Sequence, residues 1–286
     1  MSFLNLLHGI RDIRSALNSC LFSPKPIEGP DSRRTASLFV LLSVLLFGLS
    51  GCGGSAQTSG QELVVGAASS LTKPLDEISA LYNAQKGVVL KISYASSGTL
   101  RKQLEEGAPF DLVFLASSKD MNTLSESGQL LDHTIRDLLS NQICYVSKSA
   151  VTLETLPVNM TQAERITLGD PSSVPVGQYA MESLVALGLN GLIEGKQLFA
   201  KDARQVVQYL NSGAVDAGFV FSTDAGLLEG DFFVVMLPAE SHRPILYPAA
   251  VSASSPQAEA AADFLDFLGS PEASAIFESY GFSLPQ

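Results

Sequence analysis

Downstream of residue 62, short apolar runs rich in β-branched and aromatic residues alternate with segments of helical period. This alternation constrains the fold more than any other feature of the chain. An apolar run buried on both faces needs helices to cover it, so the pattern demands a mainly parallel α/β architecture. Residues 63–67 read as a strand, and the spacing of Leu71, Leu75, Ile78 and Leu81 predicts a helix that Gly87 stops. Residues 88–94 read as a second strand, a helix follows from Ser97 to Glu106, and 111–115 form a third, nearly continuous apolar strand. A second unit opens at 142–147 and continues through 166–168, a helix over 177–187, a strand over 198–202, a helix over 203–211 and a strand over 217–221. After 232–237 come 246–252 and helices over 256–268 and 271–280. The order predicts two α/β lobes, with the chain end returning to the first.

The first fifty residues carry a different message. Arg33 and Arg34 precede an uncharged apolar run over 36–49, too short to span a bilayer comfortably once its Ser and Gly residues are discounted. A basic flank, a short apolar stretch and small residues at its end are the layout of a secretory signal peptide. Leu49-Ser50-Gly51-Cys52 resembles the lipobox of bacterial lipoproteins, in which the Cys is diacylated and becomes the new N-terminus. The polar, glycine-rich residues 53–60 suit a flexible tether behind such an anchor. The sequence therefore predicts an N-terminal extension and signal peptide over 1–51, lipidation at Cys52, and a tether over 52–61.

Composition narrows the functional classes. The 286 residues carry 18 Lys plus Arg against 29 Asp plus Glu, a formal charge of −11. Residues 1–51 hold five basic and three acidic side chains, so the exported part is more acidic still, near −13. That balance argues against a nucleic-acid partner. No Cys/His set has zinc spacing, no cation site is expected, and Cys144, inside an apolar stretch, reads as a small buried hydrophobe. His133 and His242 sit in polar surroundings and read as surface residues, and the pairs Asp76-Glu77 and Glu105-Glu106 fall on polar helix faces.

Chemistry is expected where strands hand over to helices. Ala67-Ala68-Ser69-Ser70, Ala95-Ser96-Ser97-Gly98-Thr99 and the stretch from Gly169 to Gly177 each place small or hydroxyl residues at such a junction. A helix start leaves amide N–H groups unpaired and carries partial positive charge, and Ser adds a hydroxyl donor without bulk. In open α/β sheets, ligands lie beyond the carboxyl ends of the strands, where these junctions fall. Junctions of this kind in both lobes point to a shared oxyanion site.

A set of segments makes the pattern more specific. They are Val65-Gly66-Ala67-Ala68-Ser69-Ser70-Leu71-Thr72, Tyr94-Ala95-Ser96-Ser97-Gly98-Thr99-Leu100, Gly107-Ala108-Pro109-Phe110-Asp111-Leu112, Gly169-Asp170-Pro171 with the run from Val174 to Ala180, Gly218-Phe219-Val220-Phe221 with Asp224-Ala225, and Tyr247-Pro248. In order and spacing they resemble the periplasmic molybdate-binding proteins of ABC transporters, over nearly all of the exported chain. The resemblance implies the two-lobed type II periplasmic-binding-protein fold, mixed sheets flanked by helices, and a cleft closing on molybdate or tungstate. It implies that Ser70 and Ser97 each offer a hydroxyl and an amide, and that Val176 and Ala203 offer backbone N–H groups. At one position the chain departs: family members carry a Tyr hydroxyl on the ligand where this sequence has Phe221. A lost donor to a charged oxygen costs about 1.5–3 kcal/mol unless it is replaced, and Ser222, Thr223, Tyr247 or a water are the candidates.

No carboxylate occupies the matched positions, which favours a fully deprotonated oxyanion over phosphate, and Asp170 reads as a turn residue. The absence of Lys or Arg there is tolerable, because oriented dipoles in a dry site hold an anion without a formal countercharge. Three rivals stand beside this reading. One is a receptor for sulfate or phosphate, one a serine-dependent hydrolase using Ser70 or Ser97 with His133 or His242, and one a lipid-anchored interaction protein without a small ligand. No G-x-S-x-G elbow surrounds either Ser. The sequence thus predicts a non-enzymatic, cofactor-free, monomeric lipoprotein outside the cytoplasmic membrane that hands its ligand to a permease. Lobe one is expected over 62–141 and 242–286, and lobe two over 142–241.

Overall fold

The computed structural model describes residues 61–285. The signal segment, Cys52 and the tether through Gly60 lie outside the described residues. In chain order the strands are β1 (Glu62–Ala68), β2 (Val89–Ala95), β3 (Leu112–Phe114), β4 (Arg136–Asn141) and β5 (Ile143–Ser147). They continue as β6 (Ile166–Gly169), β7 (Gln197–Ala200), β8 (Ala217–Phe221), β9 (Phe233–Met236) and β10 (Ile245–Val251). Two five-stranded sheets result, ordered β2-β1-β3-β10-β4 and β7-β6-β8-β5-β9.

Both sheets are mixed. In the first, β1 runs parallel to β2 and β3, while β10 lies antiparallel between β3 and β4. In the second, β6 runs parallel to β7 and β8, while β5 lies antiparallel between β8 and β9. The antiparallel members mark where the chain changes lobe. It passes from β4 to β5 through Gln142 alone, and returns from β9 to β10 through residues 237–244.

The helices are α1 (Thr72–Lys86), α2 (Ser97–Glu105), α3 (Ser118–Glu126), α4 (Leu156–Gln162), α5 (Pro175–Ala186), α6 (Ala203–Asn211), α7 (Ser222–Ala225), α8 (Ala258–Leu268) and α9 (Pro271–Ser279). α1 buries Leu75 and Ile78 of the predicted stripe and ends at Gly87; Leu71 is buried in the turn before it, and Tyr82 is buried in place of the expected Leu81, which is half-buried. α6 buries Val206, Val207 and Leu210 on one face. Each such side chain contributes about 1.5–3 kcal/mol of burial, so Leu210→Ala alone removes a substantial part of what holds α6 to its sheet. α5 begins at Pro175, two residues before the expected start, because Pro suits the first helical position, where no N–H is needed. The helix expected from 256 begins at Ala258.

One close approach aims the cleft. A Cβ on Gly177 would lie 1.8 Å from the Gly169 carbonyl oxygen, so only glycine lets the start of α5 rest on the end of β6. That contact holds the amide of Val176 at the carboxyl edge of the second sheet.

Candidate functional site

β1 ends in a single 3-10 turn, Ser69–Leu71, with both serines buried. Thr72 Oγ1 donates to the Ser69 carbonyl at 2.7 Å and fixes the turn. The two hydroxyls then point to different partners. Ser69 Oγ accepts from the Ala203 amide at 3.2 Å, which joins the first sheet's edge to the first residue of α6. Ser70 Oγ lies 3.1 Å from the Tyr247 hydroxyl on β10.

Ser97 opens α2 and is fully buried. Its neighbour Ser96 caps the helix by accepting from Thr99 N at 3.2 Å, a cap worth about 1 kcal/mol. Ser97 Oγ accepts from Ala116 N at 2.9 Å, which anchors the oxygen and leaves its own O–H free to donate. The next residue makes a second contact between lobes: Gly98 N donates to the Ser173 carbonyl at 3.1 Å. A Cβ at Gly98 would sit 2.6 Å from that same oxygen.

In the second lobe, Val176 occupies the first turn of α5, where an amide has no intrahelical acceptor. Asp170 shapes the turn before it, its Oδ1 accepting from Ser172 N at 2.9 Å and its carbonyl from Ser173 N and Val174 N. This is the turn role its position predicts. Ala203 is the first residue of α6, and Asp202 caps that helix through Gln205 N at 2.9 Å.

Phe221 ends β8, is 1% exposed, and packs edge-to-face on Tyr247 at 5.9 Å and on Tyr179 at 6.3 Å between ring centroids. The missing hydroxyl therefore has a phenol beside it. Tyr247 is fully buried, and its oxygen accepts from Asn141 Nδ2 at 3.2 Å in addition to meeting Ser70. Burial, reinforced by the nearby Asp224, raises its pKa well above the usual tyrosine range, so the phenol stays protonated. Asn141 also donates to Thr223 Oγ1 at 3.0 Å and accepts from Ser222 Oγ at 2.9 Å. Standing at the β4–β5 crossover, this one side chain ties α7 in the second lobe to β10 in the first.

The structure links the expected residues pairwise: Ser70 and Phe221 both meet Tyr247, Ala203 meets Ser69 next to Ser70, and Gly98 next to Ser97 reaches Ser173 ahead of the helix that carries Val176. Sequence reasoning missed Ser69 as the cross-lobe acceptor, Asn141 as the bridge, and Asp224, whose carboxyl is buried beside Ser70. The Ser69-Ser70 doublet was a visible signal, but spacing does not say which hydroxyl faces which wall. His133 is exposed as expected, whereas His242 is half-buried, with Nδ1 2.7 Å from the Arg243 carbonyl and its ring against Tyr179. The packing of the returning chain on α5 covers it. Cys144 is buried, and burial pushes its thiol up to about 12.

A family model described as bacterial extracellular solute-binding protein matches residues 63–283. The chain belongs to that family. Among solute-binding relatives, the molybdate-binding protein ModA of Haemophilus influenzae is 35% identical over 231 residues, covering 78% of this chain and 90% of its own length. ModA of Escherichia coli K12 is 32% identical over 238 residues, covering 81% and 92%. In solved structures, the Azotobacter vinelandii periplasmic molybdate-binding protein aligns with a TM-score of 0.72 at 24% identity, over 78% of this chain and all of that one. These solute-binding proteins are receptors, and the hydrolase reading falls with them. Among the described residues neither Ser70 nor Ser97 has a histidine partner: their oxygens meet Tyr247 and Ala116.

Proposed function

We propose that this chain is the receptor of an ABC transporter, capturing molybdate or tungstate between its lobes and delivering it to a membrane permease. The observation that carries this reading is the pairing of the Ser70 hydroxyl with the Tyr247 phenol beside Phe221. It supplies a neutral hydroxyl donor at the one place where the chain lacks the hydroxyl that the resemblance leads one to expect. The full donor set is then Ser70, Ser97, Tyr247 and the amides of Val176 and Ala203, all uncharged. Such a set suits a dianion whose oxygens only accept hydrogen bonds, and oriented dipoles in a buried site stabilise it without a countercharge. The names of the Haemophilus and Escherichia relatives support the same ligand.

The reading extends to the remainder of the molecule. Residues 62–141 and 242–286 form one lobe and 142–241 the other, with Asn141 at the hinge, and ligand binding closes them as monomers. Cys52 carries a lipid that holds the exported protein to its membrane. Calorimetric titration with molybdate, tungstate, sulfate and phosphate tests the ligand. Tight binding of the first two without a sulfate signal supports the proposal, and silence for all four overturns it. Mass spectrometry of the membrane-extracted protein tests the anchor: a diacylated Cys52 as first residue is expected, and an unprocessed N-terminus refutes it.

A further inference from the structure

Asp224 takes no part in the donor set, yet it is 2% exposed and no donor among the described residues reaches its Oδ2. It lines a cavity of about 20 Å³ to which both lobes contribute, with Ser69, Ser70 and Lys73 on one side and Arg204 and Thr223 on the other. Ser69 and Ser70 are the residues whose hydroxyls meet Ala203 and Tyr247. Because Ser69, Ser70 and Lys73 belong to the opposite lobe, separating the lobes would open this cavity on that side. A buried carboxyl with one oxygen left without a donor is disfavoured as an anion, whereas the same group in water ionises in the ordinary range, at about 4.

The charged and titratable neighbours come from several elements. Arg204 on α6 favours the anion and Asp202 before it opposes the anion. Lys73 on α1 and Tyr280 after α9 line the cavity, and Cys144 on β5 and Tyr247 on β10 both feel the carboxyl while remaining protonated. Burial outweighs Arg204 and pushes Asp224 up to about 7.

We propose that Asp224 is a proton-binding site completed by lobe closure, so that capture of an oxyanion takes up a proton in the same step. The inference rests on the solute-binding reading above. An arriving dianion strengthens the effect, since a second negative charge nearby further favours the acid form. The closed state holds the proton more tightly than the open one, so acid favours capture. Affinity rises as pH falls through about 7. Uptake approaches one proton per ligand below that point and fades above it.

Titration calorimetry of the purified protein with sodium molybdate, in buffers of different ionisation heat, counts the protons directly. Between about pH 8.5 and about pH 5.5 the wild type should gain about thirtyfold in affinity. The near-isosteric Asp224→Asn variant should bind with no proton uptake and a flat pH profile. Molybdate binding by the wild type without uptake near pH 6, or uptake that persists in Asp224→Asn, overturns the assignment while leaving the receptor reading intact. If Asp224→Asn fails to fold, the wild-type proton count decides alone. Failure of molybdate and tungstate to bind at every pH overturns the receptor reading instead.

Discussion

The Ser69 hydroxyl accepts a hydrogen bond from the Ala203 amide at 3.2 Å, and through it the end of β1 is tied to the start of α6 across the cleft. The amide is the same group that the resemblance assigns to the ligand. A neutral hydrogen bond nets about 0.5–1.5 kcal/mol, while one to an anion is worth about 1.5–3 kcal/mol, so on the proposed reading an oxyanion would displace Ser69 and the Ser69 bond would serve the ligand-free protein. In Ser69→Ala, small-angle scattering should report a larger radius of gyration without ligand and an unchanged one at saturating molybdate. An unaltered ligand-free radius would remove Ser69 from the closure equilibrium.

Gly98 provides a steric test of closure. Its amide reaches the Ser173 carbonyl at 3.1 Å, and a methyl group there would stand 2.6 Å from that oxygen. The clash is with backbone of the opposite lobe, so it penalises the closed form and spares each lobe. Gly98→Ala should lose more than about tenfold in molybdate affinity, roughly 1.4 kcal/mol, with the melting temperature of the ligand-free protein little changed. Wild-type affinity would show that the lobes close without this approach.

Ser70→Ala and Ser97→Ala should each weaken molybdate binding about tenfold or more, since each removes a charge-assisted donor. They should differ in stability. Ser97→Ala also strips the buried Ala116 amide of its acceptor, which costs about 1–3 kcal/mol in denaturant unfolding. Equal stability losses in the two variants would contradict the assigned partners.

Tyr247 and Phe221 form a double-mutant cycle. Tyr247→Phe deletes the phenol that meets Ser70 and Asn141 and should weaken binding about tenfold. Phe221→Tyr adds a hydroxyl on the neighbouring ring, 5.9 Å away between centroids, and should tighten binding. Because the rings touch, the double variant should recover much of the loss, a coupling of about 0.5–3 kcal/mol. Strict additivity would mean that the two positions serve different parts of the cleft.

The thiol of Cys144 is buried and pushed up to about 12, because burial and the nearby Asp224 both disfavour a thiolate. At pH 8 it should react with a thiol reagent only as fast as the protein unfolds. Rapid labelling of the native protein would contradict the packing of β5.

Elements with two-sided or evenly spaced apolar residues were legible in the chain, and those without were not. α3 buries only Asp120, Met121 and Leu124 in nine residues, and β4 is an edge strand whose fully buried side chain is Leu139. α4 spans seven residues with Pro157 in its first turn. None of these writes a clear period, because each is held by neighbours distant in sequence: β4 by β10, over a hundred residues on.

The same division runs through the site. The strand-to-helix junctions at 67–70, 95–99 and 169–177 were readable locally, since helix starts expose amides wherever they occur, whereas Ser70, Ser97, Val176 and Ala203 were singled out as ligand donors by the family resemblance. Which hydroxyl crosses the cleft, which phenol meets Ser70, and how Asn141 reaches Tyr247 depend on separations of 134, 177 and 106 residues. Only the packing of the two sheets decides them. The burial of Asp224 belongs there too: a carboxyl is placed in the sequence by one letter, but the water it loses is removed by two lobes meeting.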